Sequence, residues 1–221
     1  MIDIAAARAD TPGAAFVTHF NNAGASLPPR PVLDTVTDYL SEEARYGGYE
    51  VAEAHADELN SVYNTVGTLV GADRSAIALT DSATRAWGSV FSAMTFGESD
   101  RILTTASEYA SNVIAFLQVA KRTGASVEVV PNRSTGEIDP DALHTMIDER
   151  VRLIAINHVP TNSGLVNPAA EIGRVAKAHG VPYLLDACQS VGQMPIDVEE
   201  IGCDLLSATS RKFLRGPRGT G

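Results

Sequence analysis

The chain has 221 residues, of which 44% are hydrophobic and 20% are charged, a composition typical of a globular protein with one large core. Its formal net charge of −10 argues against a nucleic-acid partner, because that binding depends on basic side chains that neutralise phosphates. No apolar stretch approaches the ~20 residues of a membrane span, and residues 1–10 contain acids instead of an apolar signal core. Two cysteines, Cys188 and Cys203, give neither a disulfide framework nor a metal-binding spacing. We therefore expect a cytoplasmic protein without a metal site or a membrane contact.

Hydrophobic periodicity predicts two helices followed by an alternation of strands and helices. Pro31 favours the start of the first helix, and Gly71 the end of the second. In chain order we predict helices at 31–46 and 51–70, a strand at 76–80, a helix at 83–94, a strand at 101–104, a helix at 110–122, a strand at 126–130, a helix at 141–147, a strand at 152–157, a helix at 169–179, and strands at 182–185 and 204–207. This alternation indicates an α/β fold with a mainly parallel sheet.

Polar clusters follow five of the predicted strands. In parallel sheets ligands bind outside the carboxyl ends of the strands, so these clusters should converge on one site. They lie at residues 80–84, 107–112, 157–164, 186–189 and 209–212.

Asp186 and Lys212 carry the most specific signal. Asp186 closes the apolar run 181–185, and Lys212 follows about 26 residues later in a polar loop bounded by glycines. A lysine can form a Schiff base with the aldehyde of pyridoxal phosphate, and an acid can keep the pyridine nitrogen protonated so that the ring accepts electrons. This pair predicts a pyridoxal-phosphate site.

The other clusters each have an ordinary structural alternative. Residues 80–84 could bind a phosphate at a helix N-terminus, or could simply cap that helix. Tyr109 could stack on the cofactor ring, or could be a core tyrosine. His158 is as compatible with a structural role as with a catalytic one. Thr209 and Arg211 could hold the phosphate, whereas the alternative for Arg211 is a solvated basic loop.

The blocks 186–192, Lys212 and Gly216-Pro217 resemble the class V aminotransferase family of fold-type I pyridoxal-phosphate enzymes. The resemblance extends from Asn21 to Gly221. It implies the large domain of that fold, a three-layer sandwich with a mainly parallel sheet. We expect residues 1–30 to form an N-terminal arm that lines the active site, and residues 31–221 to form the cofactor domain, truncated after the lysine loop.

The resemblance also implies roles for individual residues. Lys212 would be the Schiff-base lysine and proton shuttle, with its pKa lowered by the pyridinium and Arg211. Asp186 would pair with the pyridine nitrogen, Gln189 would contact the ring hydroxyl, and Tyr109 would stack on the ring. The phosphate would be held by Ala83, Thr84, Thr209 and Arg211.

Two departures distinguish the chain from cysteine desulfurases of this family, which usually carry histidine where Tyr109 and Arg211 stand. Their persulfide-forming cysteine also lies beyond the lysine loop. The segments 21–26, 47–50 and 160–164 are more similar to the C–S lyases of the ergothioneine pathway and to cysteine-lyase domains of polyketide synthases. That branch implies substrate-side positions at Asn22, Ala23, Gly24, Tyr49, Thr161 and Asn162.

We therefore expect a C–S β-lyase that cleaves a cysteine conjugate to a sulfur product, pyruvate and ammonia. A cysteine desulfurase, a selenocysteine lyase or an aminotransferase is the alternative on the same fold, and a non-catalytic fragment is the alternative of another class. The family's active site lies at a homodimer interface, so a homodimer is expected, and the chain could belong to a larger polypeptide.

Overall fold

A computed structural model describes residues 2–221. The helices are α1 (Ile4–Ala9), α2 (Arg30–Tyr46), α3 (Gly48–Ala54), α4 (Ala56–Val70), α5 (Ala83–Ala93), α6 (Ala110–Thr123), α7 (Pro140–Met146), α8 (Ala169–His179) and α9 (Val198–Ile201). The strands are β1 (Arg101–Thr104), β2 (Ser126–Val129), β3 (Val151–Asn157), β4 (Tyr183–Asp186) and β5 (Leu205–Ser207). The predicted α/β fold is confirmed, and most boundaries agree with the sequence to within one or two residues.

The five strands form one sheet in the order β2-β1-β3-β4-β5, with every described pairing parallel. The register aligns the last residues of three neighbouring strands, Asn157, Asp186 and Ser207. Parallel pairing therefore places the loops that follow these strands along a single edge of the sheet.

Helices cover both faces of the sheet, as the alternation of side chains along a strand requires. On one face, Leu153 and Leu184 pack with Trp87 and Phe91 of α5 and with Phe116 of α6. On the other face lie buried strand residues that pack against α4, α7, α8 and α9, namely Leu103, Ile154, Ile156, Tyr183 and Leu185. The result is the three-layer sandwich that the sequence predicted.

Two predicted elements differ from the structure. The strand predicted at residues 76–80 is wrong, because within the described chain Thr80 exchanges two backbone hydrogen bonds with Gly221 and the neighbouring residues join no ladder. The helix predicted at 51–70 is divided at His55, whose backbone leaves the helical region and whose imidazole lies 2.8 Å from the Glu42 carboxylate of α2. Both differences depend on tertiary contacts that local sequence does not encode.

The N-terminal arm contains local secondary structure. It contains α1, where the Asp3 carboxylate accepts a hydrogen bond from the Ala6 backbone N–H at 3.0 Å. Both cysteines are free, and none of the helices described for residues 2–221 is long and apolar enough to cross a membrane.

Candidate active site

A cavity that is partly open to solvent lies at the carboxyl edge of the sheet. Nine residues predicted from the sequence line it: Ala83, Thr84, Tyr109, Thr161, Asp186, Gln189, Thr209, Arg211 and Lys212. The predicted convergence of strand-end loops is therefore present in the fold.

Asp186 closes β4 and is buried at the base of this cavity. Its Oδ1 accepts a hydrogen bond from the Cys188 backbone N–H at 3.0 Å, and its Oδ2 accepts one from Asn112 Nδ2 at 3.1 Å. Two donors from different elements thus fix the plane of the carboxylate. A carboxylate held in this way can face a cation in the cavity without rotating.

Lys212 is the buried cation of the cavity, with 5% of its surface exposed. Its Nζ lies 5.6 Å from the centroid of the Tyr109 ring. Burial is the main reason why its pKa is below the ordinary value for lysine, and the charge of Arg211 acts in the same direction while that of Asp186 opposes it. The sequence predicted that the pKa of Lys212 would be lowered and that Arg211 would contribute, but not that burial would be the main cause.

The loop that carries Lys212 is held by its own hydrogen bonds and by close packing. Arg211 Nη1 donates to Thr209 Oγ1 at 3.1 Å, and the Gly216 backbone N–H donates to the Ser210 carbonyl at 2.8 Å. Gly192 has a φ of 93°, and a Cβ there would lie 2.7 Å from the backbone of Phe213. Glycine at this position therefore lets the lysine loop approach the segment after β4.

The start of α5 is compatible with both roles that the sequence left open, helix capping and phosphate binding. Ser82 is the N-cap, because its side-chain oxygen accepts a hydrogen bond from the Arg85 backbone N–H at 3.2 Å. Ala83 and Thr84 line the cavity in the first turn of the same helix. Capping and anion binding are compatible here, since several N–H groups at a helix start have no partner within the helix.

Gln189 gives the clearest test of whether the residues fit pyridoxal phosphate. Its Nε2 donates to the Ala23 carbonyl at 3.0 Å and to Thr161 Oγ1 at 3.1 Å. Its Oε1 is buried and has no partner among the described protein atoms. A ring hydroxyl would satisfy that oxygen, while Asp186 and Lys212 suit a pyridinium and an aldehyde, so the donor set fits the cofactor.

Most of the substrate-side positions lie outside the cavity lining. Ala23 contributes its carbonyl to Gln189, whereas Asn22, Gly24 and Asn162 do not line the cavity. Tyr49 lies on α3 and is 91% exposed.

Several lining residues were not among the sites predicted from the sequence. They are Ser111, Asn112, Asn157, Val159 and Cys188. Asn112 is 2% exposed and contacts Asp186, a residue 74 positions away. A buried asparagine in the first turn of α6 was visible only as part of the polar cluster at 107–112.

The fold and the cavity define a class of protein, a parallel-sheet α/β protein in which a buried lysine and a strand-end acid line one cavity. A family model described as "Aminotransferase class-V" matches residues 18–221. The chain therefore belongs to the class V aminotransferase family, as the motifs around Asp186 and Lys212 predicted.

Curated relatives in this family carry one recurring name. A probable cysteine desulfurase from Halobacterium salinarum is 30% identical over 234 residues, which cover 100% of this chain and 56% of the relative. A probable cysteine desulfurase from Synechocystis sp. is 31% identical over 214 residues, which cover 93% of this chain and 50% of the relative. The chain thus spans about half the length of the relatives that it matches.

Solved structures share the fold. The cysteine desulfurase from Thermococcus onnurineus gives a TM-score of 0.88 at 25% identity, covering 100% of this chain and 56% of the other. The cystine C–S lyase C-DES, solved with its product cysteine persulfide, gives a TM-score of 0.88 at 25% identity. The match covers 96% of this chain and 57% of the other. A C-DES variant with glycine covalently linked to its PLP cofactor gives a TM-score of 0.89 at 25% identity. The match covers 97% of this chain and 58% of the other. The family and these neighbours support the predicted pyridoxal phosphate.

Proposed function

We propose that the protein binds pyridoxal phosphate through Lys212 and cleaves the C–S bond of a cysteine-derived substrate as a β-lyase. The overall reaction takes a cysteine thioether, sulfoxide or persulfide and one water, and releases the sulfur group with a proton, pyruvate and ammonia. The cofactor, when bound, supplies an aromatic ring that accepts the electron pair left at the substrate α-carbon.

Each part of the cofactor has a protein partner in the cavity. Asp186 would pair with the ring nitrogen, Gln189 with the ring hydroxyl, and Tyr109 with the ring face. Ala83, Thr84, Thr209 and Arg211 would hold the phosphate. The support for this assignment is that all of these residues line one cavity.

Lys212 would also move the proton. A general base must be neutral when it accepts a proton, and the lowered pKa of Lys212 increases the neutral fraction near physiological pH. Its Nζ would remove the α-proton of the substrate, and the departing sulfur would take up a proton.

The support for a lyase over a desulfurase is that Tyr109 and Arg211 line the cavity, at positions where cysteine desulfurases usually carry histidine. Cys188 also lines the cavity, but burial raises the pKa of its thiol well above its usual value, and the charge of Asp186 adds to the effect. We therefore assign Cys188 no part in the reaction, and β-elimination needs no thiolate.

The substrate side is proposed at the mouth of the cavity. Thr161 lines it and Ala23 borders Gln189, while Asn22, Gly24 and Asn162 lie in the same two loops. Tyr49 lies on α3, and we propose that it reaches a substrate only in an assembly of two chains. An exposed tyrosine of this kind suits an interface.

Cysteine desulfurase activity is the second candidate, because the curated relatives carry that name. The structural neighbour C-DES, in contrast, is named a cystine C–S lyase. An aminotransferase is the third outcome that the same cavity would permit.

Product analysis separates these functions. The protein, loaded with pyridoxal phosphate, would be incubated with cysteine, cystine, S-alkyl cysteines and cysteine sulfoxides. A lyase yields pyruvate and ammonia in equal amounts, a desulfurase yields alanine and persulfide, and an aminotransferase requires an added keto acid. Absence of visible cofactor absorption, or turnover by Lys212→Ala at the original rate, would contradict the proposed site.

A homodimer is proposed with the same site in mind. Large apolar side chains on α2 and in the arm are exposed, including Leu40 at 57%, Phe16 at 85% and Phe20 at 93%. Exposed apolar surface of this extent is typical of an interface. Light scattering during size-exclusion chromatography measures the mass directly, and a single-chain mass at micromolar concentration would contradict the proposal.

A further inference from the structure

Glu108 lies directly behind Asp186 and is connected to it by one side chain. Asn112 Nδ2 donates to Glu108 Oε1 at 3.1 Å and to Asp186 Oδ2 at 3.1 Å. A primary amide carries two hydrogens, so each carboxyl group receives one of them. The Asn112 amide is therefore a fork between two acids that come from different loops.

The Glu108 carboxyl is itself fixed. Its Oε1 also accepts a hydrogen bond from the Tyr109 backbone N–H at 2.7 Å, and its Oε2 lies 3.4 Å from Thr104 Oγ1. Glu108 thus links the end of β1 to the start of α6. Asn112 is 2% exposed, so the orientation of its amide is set by these two carboxyl groups and not by solvent.

The charges around this group have a defined effect. Burial raises the pKa of Glu108 to about 7, and the nearby charge of Asp186 acts in the same direction. Hydrogen bonds from the Tyr109 backbone, Asn112 and Thr104 oppose that rise. Lys212 and Arg211, from the lysine loop, face the cavity on which Asp186 also opens.

We propose that Glu108 is a positioning residue for the cofactor site: through Asn112 it orients the Asp186 carboxylate, and its own ionisation adds a negative charge beside that carboxylate. This inference rests on the proposed function for its effect on the cofactor. Its structural part, the coupling of Glu108 to Asp186, belongs to the cofactor-free chain and is tested separately.

Carboxyl-carbon NMR of the cofactor-free protein tests the coupling. The Glu108 signal is assigned by its loss in Glu108→Gln, and its midpoint should lie near pH 7. Asp186→Asn removes a negative charge and should lower that midpoint, whereas Asn112→Leu removes a donor to the ionised form and should raise it. A Glu108 midpoint that is the same in Asp186→Asn as in the original chain would overturn the coupling.

The second experiment measures cofactor binding by absorption and fluorescence. Glu108→Ala releases Asn112 and should weaken pyridoxal-phosphate binding by about tenfold, the usual size for loss of one hydrogen bond to a charged group. Glu108→Gln keeps an acceptor for Asn112, so affinity should stay within about threefold. The pH dependence of the cofactor absorption between pH 6 and 8 should nevertheless change, since glutamine does not ionise.

Glu149→Gln is the matched control, because Glu149 is an exposed carboxylate. It should leave both affinity and the pH profile unchanged. Equal affinity and equal pH profiles for Glu108→Ala and the original protein would overturn the proposal. If Glu108→Ala fails to fold, the pH profile of Glu108→Gln decides. If the original protein binds no cofactor, the proposed function fails while the NMR titration still decides the coupling.

Discussion

Arg215 of the lysine loop donates a hydrogen bond from Nη2 to Thr11 Oγ1 of the N-terminal arm at 2.6 Å, across 204 residues of sequence. Its Nε also donates to the Leu27 carbonyl at 3.1 Å. Ser26 adds two bonds nearby, because its backbone N–H and its hydroxyl both donate to the Arg211 carbonyl. The arm is therefore tied to the loop that carries Lys212.

Replacing Arg215 should loosen the arm. Arg215 has a φ of 60°, a left-handed conformation that disfavours side chains with a Cβ. Arg215→Ala should lower the free energy of unfolding by about 1–2 kcal/mol, since the two hydrogen bonds are lost while the strain remains. Arg215→Gly should cost about 1 kcal/mol less than Arg215→Ala, because glycine adopts this φ without strain.

Urea unfolding of a double-mutant cycle with Thr11→Val isolates the contact. If the Arg215–Thr11 hydrogen bond stabilises the fold, the two substitutions should show a coupling energy of about 0.5 kcal/mol or more. Strictly additive effects of the two substitutions would show that the arm and the loop are energetically independent.

Replacing Lys212 should stabilise the cofactor-free protein. Burial lowers the pKa of Lys212 in the folded state, so the unfolded chain binds that proton more tightly. The loss of folding stability caused by the buried charge is greatest below the folded-state pKa and declines as the pH rises. It disappears above about pH 10.5, the pKa of a free lysine. Lys212→Met should therefore raise the unfolding midpoint at pH 7.5, and the gain should shrink towards pH 10.5.

Lys177→Met provides the comparison, because Lys177 is exposed near the end of α8. Its effect on the unfolding midpoint should be small, because solvent surrounds this side chain. A stabilisation by Lys212→Met that does not change between pH 7.5 and 10.5 would mean that the gain comes from packing and not from the buried charge.

The layout of the site could be predicted from sequence because it follows from topology. Parallel strands end at one edge, so Asp186 and Lys212 were placed together without any contact information. The contacts between distant segments could not be predicted in the same way. The Asn112–Asp186 bond and the Arg215–Thr11 bond join residues that share no local pattern.

Errors in secondary structure have the same origin. The apolar run at 76–80 has the composition of a strand, yet a strand requires a partner, and in the described chain Thr80 pairs with Gly221. His55 looks like an ordinary helix residue until its imidazole meets Glu42. Local propensity is a weak guide wherever a neighbouring segment decides the conformation.

The thiols should react slowly in the folded protein. Burial raises the pKa of Cys188 well above its usual value and that of Cys203 to about 11. Because the thiolate is the nucleophile, both should react with Ellman's reagent at pH 8 at least about tenfold more slowly than in urea. The variant Cys203→Ser reports on Cys188 alone. A rate for Cys188 equal to that in urea would show that burial does not suppress its thiolate.

Arg101 should support stability in a pH-dependent way. Its Nε donates to Glu128 Oε1 at 2.7 Å, and its Nη1 donates to the Met146 carbonyl at 2.8 Å and lies 3.1 Å from Asp148 Oδ1. The hydrogen bonds from Arg101 lower the pKa of Glu128. The interaction with Arg150, and to a smaller extent that with Arg101, lowers the pKa of Asp148 to about 2. Carboxylates with lowered pKa stabilise the fold above their unfolded values, near 4, and lose that contribution as the pH falls through the folded values.

Arg101→Met should therefore reduce the free energy of unfolding at pH 7 by about 1–2 kcal/mol, through loss of these hydrogen bonds. The difference between the variant and the original protein should narrow as the pH falls from 5 to 2.5, because protonated acids no longer attract the guanidinium. Arg152→Met removes an arginine whose side chain is 58% exposed and lies 3.3 Å from Asp100, and it should cost less than about 1 kcal/mol. Denaturant unfolding at several pH values measures both variants, and a deficit in Arg101→Met that is constant from pH 7 to 2.5 would show that the ion pairs contribute nothing beyond packing.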